Sequence, residues 1–214
     1  MRILKTLLPF AALLAMAPAA ALAHPHVFAD ARLEIVAGAD GNIQELHNVW
    51  RFDEVFSSQV LLDFDKNTNL VLDPEELAEV GETVRTSLEE YGYYTTLTLD
   101  GKSVAVAKPD VINVDYKDGQ LLMFFAIKPA VAMPLKGKLT FGVYDPTLYA
   151  SIDFPGDEDL VLIGDFKACK HVVVRPDADE VIAQNQSSLT DAFFTDPTGT
   201  DMSKLFATRM EVTC

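Results

Sequence analysis

Residues 26 to 36 alternate, with Val27, Ala29, Ala31, Leu33 and Ile35 on one side and His26, Asp30, Arg32 and Glu34 on the other. A period of two is that of a strand with one face buried. The turn Ala39-Asp40-Gly41-Asn42 carries an Asp-Gly pair and leads into an apolar-rich run from Ile43 to Phe52, so the pattern predicts a hairpin. Its simplest register sets His47 near Glu34, far along the strand from His26. After Phe52 the period lengthens: Phe56, Val60, Leu61 and Phe64 recur at helical spacing behind Asp53, which is suited to cap a first turn. A second helical stretch opens at Pro74 and runs through Leu77, Val80, Val84 and Leu88 towards Tyr91.

Beyond Tyr93 the period returns to two. Strands are predicted at Thr95 to Leu99, Ser103 to Ala107, Val111 to Tyr116, Leu121 to Ile127, Lys138 to Tyr144, Tyr149 to Phe154, Leu160 to Ile163 and His171 to Val174. Asp179 to Gln186 and Met202 to Ala207 read as short helices, and Glu211 to Cys214 as an extended tail. The pattern contains no repeat or long Gly/Ser linker. It predicts one α+β domain over 24–214, a mainly antiparallel β framework with an inserted EF-hand-like helix-loop-helix at about 53–92.

The opening of the chain is of a different kind. Arg2 and Lys5 precede an apolar run from Leu7 to Ala17, and Ala21-Leu22-Ala23 has the small-x-small form of a cleavage site. The apolar run is shorter than the roughly 20 residues of a spanning helix. Residues 1–23 are thus expected to be a cleaved signal peptide, which implies a periplasmic protein that begins at His24 and does not insert into the membrane.

Composition narrows the partners. With 17 basic and 32 acidic side chains the formal charge is −15, which excludes a cationic surface for nucleic acid and concentrates cations nearby. The two cysteines, Cys169 and Cys214, enter a thiol-oxidising compartment, where a disulfide that fastens the last residue to the body is their simplest use. The competing use makes Cys169 and His171 metal ligands. No G-x-S-x-G, H-E-x-x-H, G-x-G-x-x-G, P-loop or CxxC pattern occurs, so the expectation is a protein that is not an enzyme.

Two constellations carry metal chemistry. A cleaved His24 offers its α-amine and ring nitrogen as a chelate, and His26 adds a second imidazole; such donors suit zinc, nickel, cobalt and copper. Pro25 lacks an N–H and so blocks a square-planar chelate through successive deprotonated amides. The second constellation runs from Asp65 to Glu76 and aligns with the twelve-residue calcium loop. Asp65, Asn67 and Asn69 would supply side-chain oxygens, Val71 a carbonyl, Asp73 a direct or water-bridged contact and Glu76 two carboxylate oxygens. Leu70 stands in the sixth place, where glycine normally takes a positive φ, so calcium is expected to bind weakly or to be replaced by a purely structural loop.

The start His24-Pro25-His26-Val27-Phe28, the Trp50-Arg51-Phe52-Asp53-Glu54 segment with Phe56-Ser57, the loop from Asp65 to Glu76, and Tyr144-Asp145-Pro146 with Tyr149 and Asp153-Phe154 together suggest a family. The chain resembles a group of uncharacterised bacterial periplasmic proteins often labelled as periplasmic components of an ABC-type transport system. Members are commonly encoded beside nickel/cobalt-type permeases, and some are implicated in zinc acquisition. The resemblance implies an accessory protein that binds or delivers zinc, nickel or cobalt to or from an inner-membrane permease. It carries the family's start onto His24 and His26 and its calcium-like loop onto Asp65 through Glu76, with Leu70 departing where glycine is frequent. The alternatives are a metal-free module that regulates a permease and a copper-dependent enzyme built on the histidine chelate.

Overall fold

The alternating run after His26 forms β1 (Val27–Ala37), which pairs antiparallel with β2 (Asn42–Phe52) across the predicted Asp-Gly turn. Glu34 lies directly opposite His47, as the simple register requires, and the pairing shifts by one residue between Val36 and Ala37. This computed structural model describes residues 25–189 and 202–214. The predicted signal peptide and His24 lie outside the described residues.

β1 is flanked on both sides. Opposite β2 it pairs in parallel with β9 (Ala150–Asp153) along its first half and with β10 (Leu160–Ile163) along its second. β2 continues to β6 (Gln120–Ile127), and β6 to β5 (Asn113–Lys117), both antiparallel; β7 (Met133–Pro134) pairs with the start of β2. A second, wholly antiparallel sheet runs in the order β11 (Lys170–Val174), β12 (Arg209–Thr213), β8 (Lys138–Val143), β3 (Thr95–Leu99) and β4 (Lys102–Val104). Leu33, Ile35, Leu46, Trp50 and Phe125 of the first sheet and Leu97, Leu139, Phe141 and Val212 of the second join one hydrophobic core. The architecture is α+β with mainly antiparallel sheets.

The helical pair is α1 (Glu54–Phe64) and α2 (Pro74–Ser87). Gly81 lets α2 close onto the segment before β5, because a Cβ there would lie 2.2 Å from the carbonyl oxygen of Ile112. The expected continuation towards Tyr91 does not occur. The chain instead turns through residues 89–94, where Gly92, Tyr93 and Tyr94 take positive φ of 57°, 55° and 53° and the Leu88 carbonyl accepts the amides of Tyr91 and Tyr93. The reversal sends Tyr93 into the core, where it is 2% exposed.

Three other expectations shift. The strand predicted from Ser103 to Ala107 is β4 with an isolated bridge from Val106 to Pro129, and the helices near the C-terminus are α3 (Ala178–Gln184) and a short 3-10 turn, Ser203–Leu205. The expected extended tail is β12, an inner strand that inserts between β11 and β8. Local pattern could not show this, because the partners of β12 are supplied by chain segments far from it in sequence. No helix among the described residues is long and apolar enough to cross a membrane.

Cys169 and Cys214 form the disulfide, which removes the alternative that paired Cys169 with His171 as metal ligands. A disulfide belongs to an oxidising compartment. It secures the end of β12, whose final residue also exchanges backbone hydrogen bonds with Gly137. In loop-entropy terms a bridge across this separation contributes about 4 kcal/mol. Replacing both cysteines by serine is expected to lower the urea midpoint by up to that equivalent while leaving the circular dichroism spectrum of the folded state unchanged.

Candidate metal sites and the anchoring of the first strand

Asp53 stands at the joint between β2 and α1. Asp53 caps α1, its Oδ1 accepting the amides of Val55 at 2.9 Å and Phe56 at 3.0 Å. Its Oδ2 accepts the amide of Phe28 at 3.0 Å, and its own amide donates to the Phe28 carbonyl at 2.9 Å. One carboxylate thus satisfies helix-start amides and ties the first strand to the joint. Ser57, fully buried, donates to the Asp53 carbonyl at 2.6 Å and accepts the Leu121 amide at 2.9 Å, which stitches α1 to β6. Arg51 pairs with Asp30 across the strands at 2.5 Å. The Trp50-to-Ser57 segment is therefore a structural joint.

On the other side of β1, the Tyr149 carbonyl accepts the amides of His26 at 2.8 Å and Val27 at 3.3 Å, and the two rings of His26 and Tyr149 lie 5.2 Å apart. That loop is organised by Asp145, which is 2% exposed. Its Oδ1 accepts both the amide and the hydroxyl of Thr147 at 2.7 Å, and its Oδ2 accepts the Ala150 amide at 2.8 Å. Tyr94 adds a fourth donor from its hydroxyl; burial, and then the adjacent Asp145 carboxylate, push its phenol far above its ordinary range and keep it a neutral donor. The bond network meets the requirement that a buried charge be fully hydrogen-bonded.

The three described histidines do not converge. His26 is exposed at the start of β1, and His24 lies outside the described residues. His47 sits between Glu34 and Glu45, with ring nitrogens 3.5 Å and 2.9 Å from their carboxylates. Its strand position is about 26 Å from His26 at the usual rise per residue, so the two cannot share an ion. His171 is exposed on β11, at the edge of the second sheet. Among the described residues no three of His, Cys, Asp and Glu gather as a metal cluster.

The loop between α1 and α2 keeps the turn order of a calcium loop. Leu70 takes φ 62°, the conformation that the sixth place demands. Asp65 accepts the amides of Asn69 and Leu70; Asn67 Oδ1 accepts that of Asn69, and Asn69 Oδ1 that of Val71. Glu76, 6% exposed, accepts the Lys66 amide at 2.8 Å and the Asp73 amide at 2.9 Å. Asp73 takes the side-chain amides of Asn67 at 2.7 Å and Asn69 at 3.3 Å. Asp65, Asp73 and Glu76 each receive two N–H donors, so the loop holds its shape through its own hydrogen bonds. The residue types follow the order of a calcium loop, but Asp65, Asp73 and Glu76 do not gather as a metal cluster, and Asn67 and Asn69 bring neutral oxygens.

Two features escaped the reading of the residues alone. The tether from Asp53 to Phe28 and the Asp145 hub both join segments distant in sequence; the Tyr144-Asp145-Pro146 motif was the signal for the second. Asn48 was readable, since it falls on the inward side of β2 between Leu46 and Trp50. It is 1% exposed, and among the described residues its side chain has no hydrogen-bond partner.

Residues 9–214 match the model of a family described as "Protein of unknown function (DUF1007)". No curated protein matches the chain. Asp145→Asn keeps the shape of the hub but turns an amide donor towards the amide donors of Thr147 or Ala150, which costs about 1–3 kcal/mol. Thermal melting is expected to show that loss, and amide exchange of His26 and Val27 to accelerate more than that of the second sheet.

Proposed function

We propose, for a chain that belongs to the DUF1007 family of proteins of unknown function, the role of a periplasmic accessory protein in divalent transition-metal transport. It binds or delivers zinc, with nickel and cobalt next, to or from an inner-membrane permease through a site that includes His24 and His26. The observation that supports this most is the double anchoring of the strand start: His26 and Val27 are held by the Tyr149 carbonyl, and Phe28 by Asp53. A donor presented from a held backbone loses less conformational freedom on binding than one on a free tail. The charge of −15 draws cations to the surface, and the disulfide fits export to an oxidising compartment.

Elemental analysis of protein isolated from the periplasm should find close to one equivalent of transition metal. Zinc titration calorimetry should then show affinity falling at least tenfold in the His24→Ala, His26→Ala variant, and falling in acid as the donor nitrogens take up protons. Equal affinity in the variant would remove the terminus from the site. Failure of the purified protein to take up metal would favour a permease-regulating module, and oxygen-dependent turnover with copper would favour an enzyme.

The loop from Asp65 to Glu76 is proposed as a weak calcium site. Leu70 in the left-handed region costs about 1–2 kcal/mol, part of which Leu70→Gly recovers against its own gain of unfolded-chain entropy. Millimolar calcium is expected to raise the melting temperature over that in chelator, and to do so more strongly in Leu70→Gly. Identical melting in both conditions for both proteins would leave the loop purely structural.

A further inference from the structure

The outer face of the second sheet carries an open cleft of about 410 Å³, within the size range of sites for small organic molecules. Its floor follows from alternation. Leu97, Leu139 and Phe141 are buried in the core, so Thr96 and Thr98 of β3 and Thr140 and Gly142 of β8 take the opposite face and line the cleft. Val181 and Gln184 of α3 and Leu205 of the 3-10 turn line it as well.

Gly142 is the telling residue of that floor. Glycine inside a strand weakens it, and commonly marks a bulge or a place where a ligand or another backbone comes close. No bulge occurs here, because β8 keeps an unbroken register with β12 and β3 that sets Gly142 between Arg209 and Thr96. Its φ lies outside the left-handed region, and a Cβ built on it would come no closer than 3.4 Å to the atoms around it, the Thr208 carbonyl oxygen being nearest. Neither conformation nor packing therefore requires glycine. What the missing side chain provides is open space above the strand.

The charge of the lining runs against that of the chain. With 17 basic and 32 acidic side chains overall, the cleft is lined by Lys204 and Arg209 and, among the described residues, by no carboxylate. Glu211, two residues along β12, is shared by Arg209 at 3.0 Å and Lys138 at 2.8 Å, so one carboxylate serves two cations. The net charge of −15 does not decide against an anion at this place, since exposed charges are largely screened beyond ~8 Å at physiological ionic strength. Val174, Pro176, Val181, Leu205 and Ala207 add apolar surface that an inorganic anion would leave unused.

We propose that this cleft binds a small organic carboxylate. The carboxylate is held by Arg209 and Lys204, as suits a charge-assisted pair, and the apolar body lies in the space over Gly142. The site rests on neither the histidines nor a metal.

Amide spectra of ¹⁵N-labelled protein titrated with benzoate and with hexanoate test it. At least one of the two is expected to move the Gly142, Thr96 and Ala207 signals saturably, with benzyl alcohol, the neutral counterpart of benzoate, at least tenfold weaker than benzoate. Sulfate at equal ionic strength should bind more weakly than the organic acid. Gly142→Val suits a strand, fills the floor and should weaken binding at least tenfold; the Lys204→Gln, Arg209→Gln variant should weaken it at least fivefold, with signals of the first sheet unchanged in both. The proposal is overturned if neither acid gives a saturable shift, or if affinity is unchanged in both variants. Equal affinity for benzyl alcohol would overturn the charged contact, and equal affinity for sulfate the apolar one.

Discussion

Strand β1 must be paired on both sides, and that requirement organises the first sheet. A strand in the interior of a sheet has amides and carbonyls directed to both neighbours, and each must find a partner once water is excluded. β2 supplies one side through a local hairpin. The other side is completed in two pieces, β9 and β10, both parallel and both reached only after the chain has built most of the second sheet. The start of the strand is secured separately, by the Asp53 carboxylate and the Tyr149 carbonyl. The exposed His26 is therefore attached to one of the best-supported segments of the molecule.

The two buried carboxylates, Asp145 and Glu76, share a logic. Each closes a loop by accepting backbone amides that would otherwise be left without partners, and each is more than nine-tenths buried. Asp145 converts the connection from β8 to β9 into a fixed turn; Glu76 locks the connection between α1 and α2 at both ends. Placing charge in the interior is tolerable here because the donors are provided by the same loop that the charge organises. Asn48 and the indole of Trp50 show the opposite case on the inward face of β2, where polar groups face apolar neighbours with no partner among the described residues.

Resemblance and geometry act on different residues of the same motifs. Of the Trp50-to-Ser57 segment, Trp50 and Phe52 fill the core, Arg51 pairs with Asp30, Asp53 caps and tethers, and Ser57 links α1 to β6. Such a motif is explained by packing and hydrogen bonding without assigning it any chemistry. What it does for the candidate metal terminus is to hold the strand from which His26 projects.

The sequence by itself determined the elements whose cause is local. Alternation specified β1 and β2, the Asp-Gly turn specified their register down to Glu34 opposite His47, and Asp53 and Pro74 marked both helix starts. The turn-forming order of Asp65, Asn67 and Asn69 was likewise legible, because those side chains bond to amides within a few residues. Tertiary structure decided the rest. It placed the C-terminal segment as an inner strand, ended α2 before Tyr91, set His171 on the edge of the second sheet, and brought Asp53 and Tyr149 to opposite sides of one strand. These outcomes depend on partners up to a hundred residues and more away, and periodicity reports which face of an element is buried without saying what buries it.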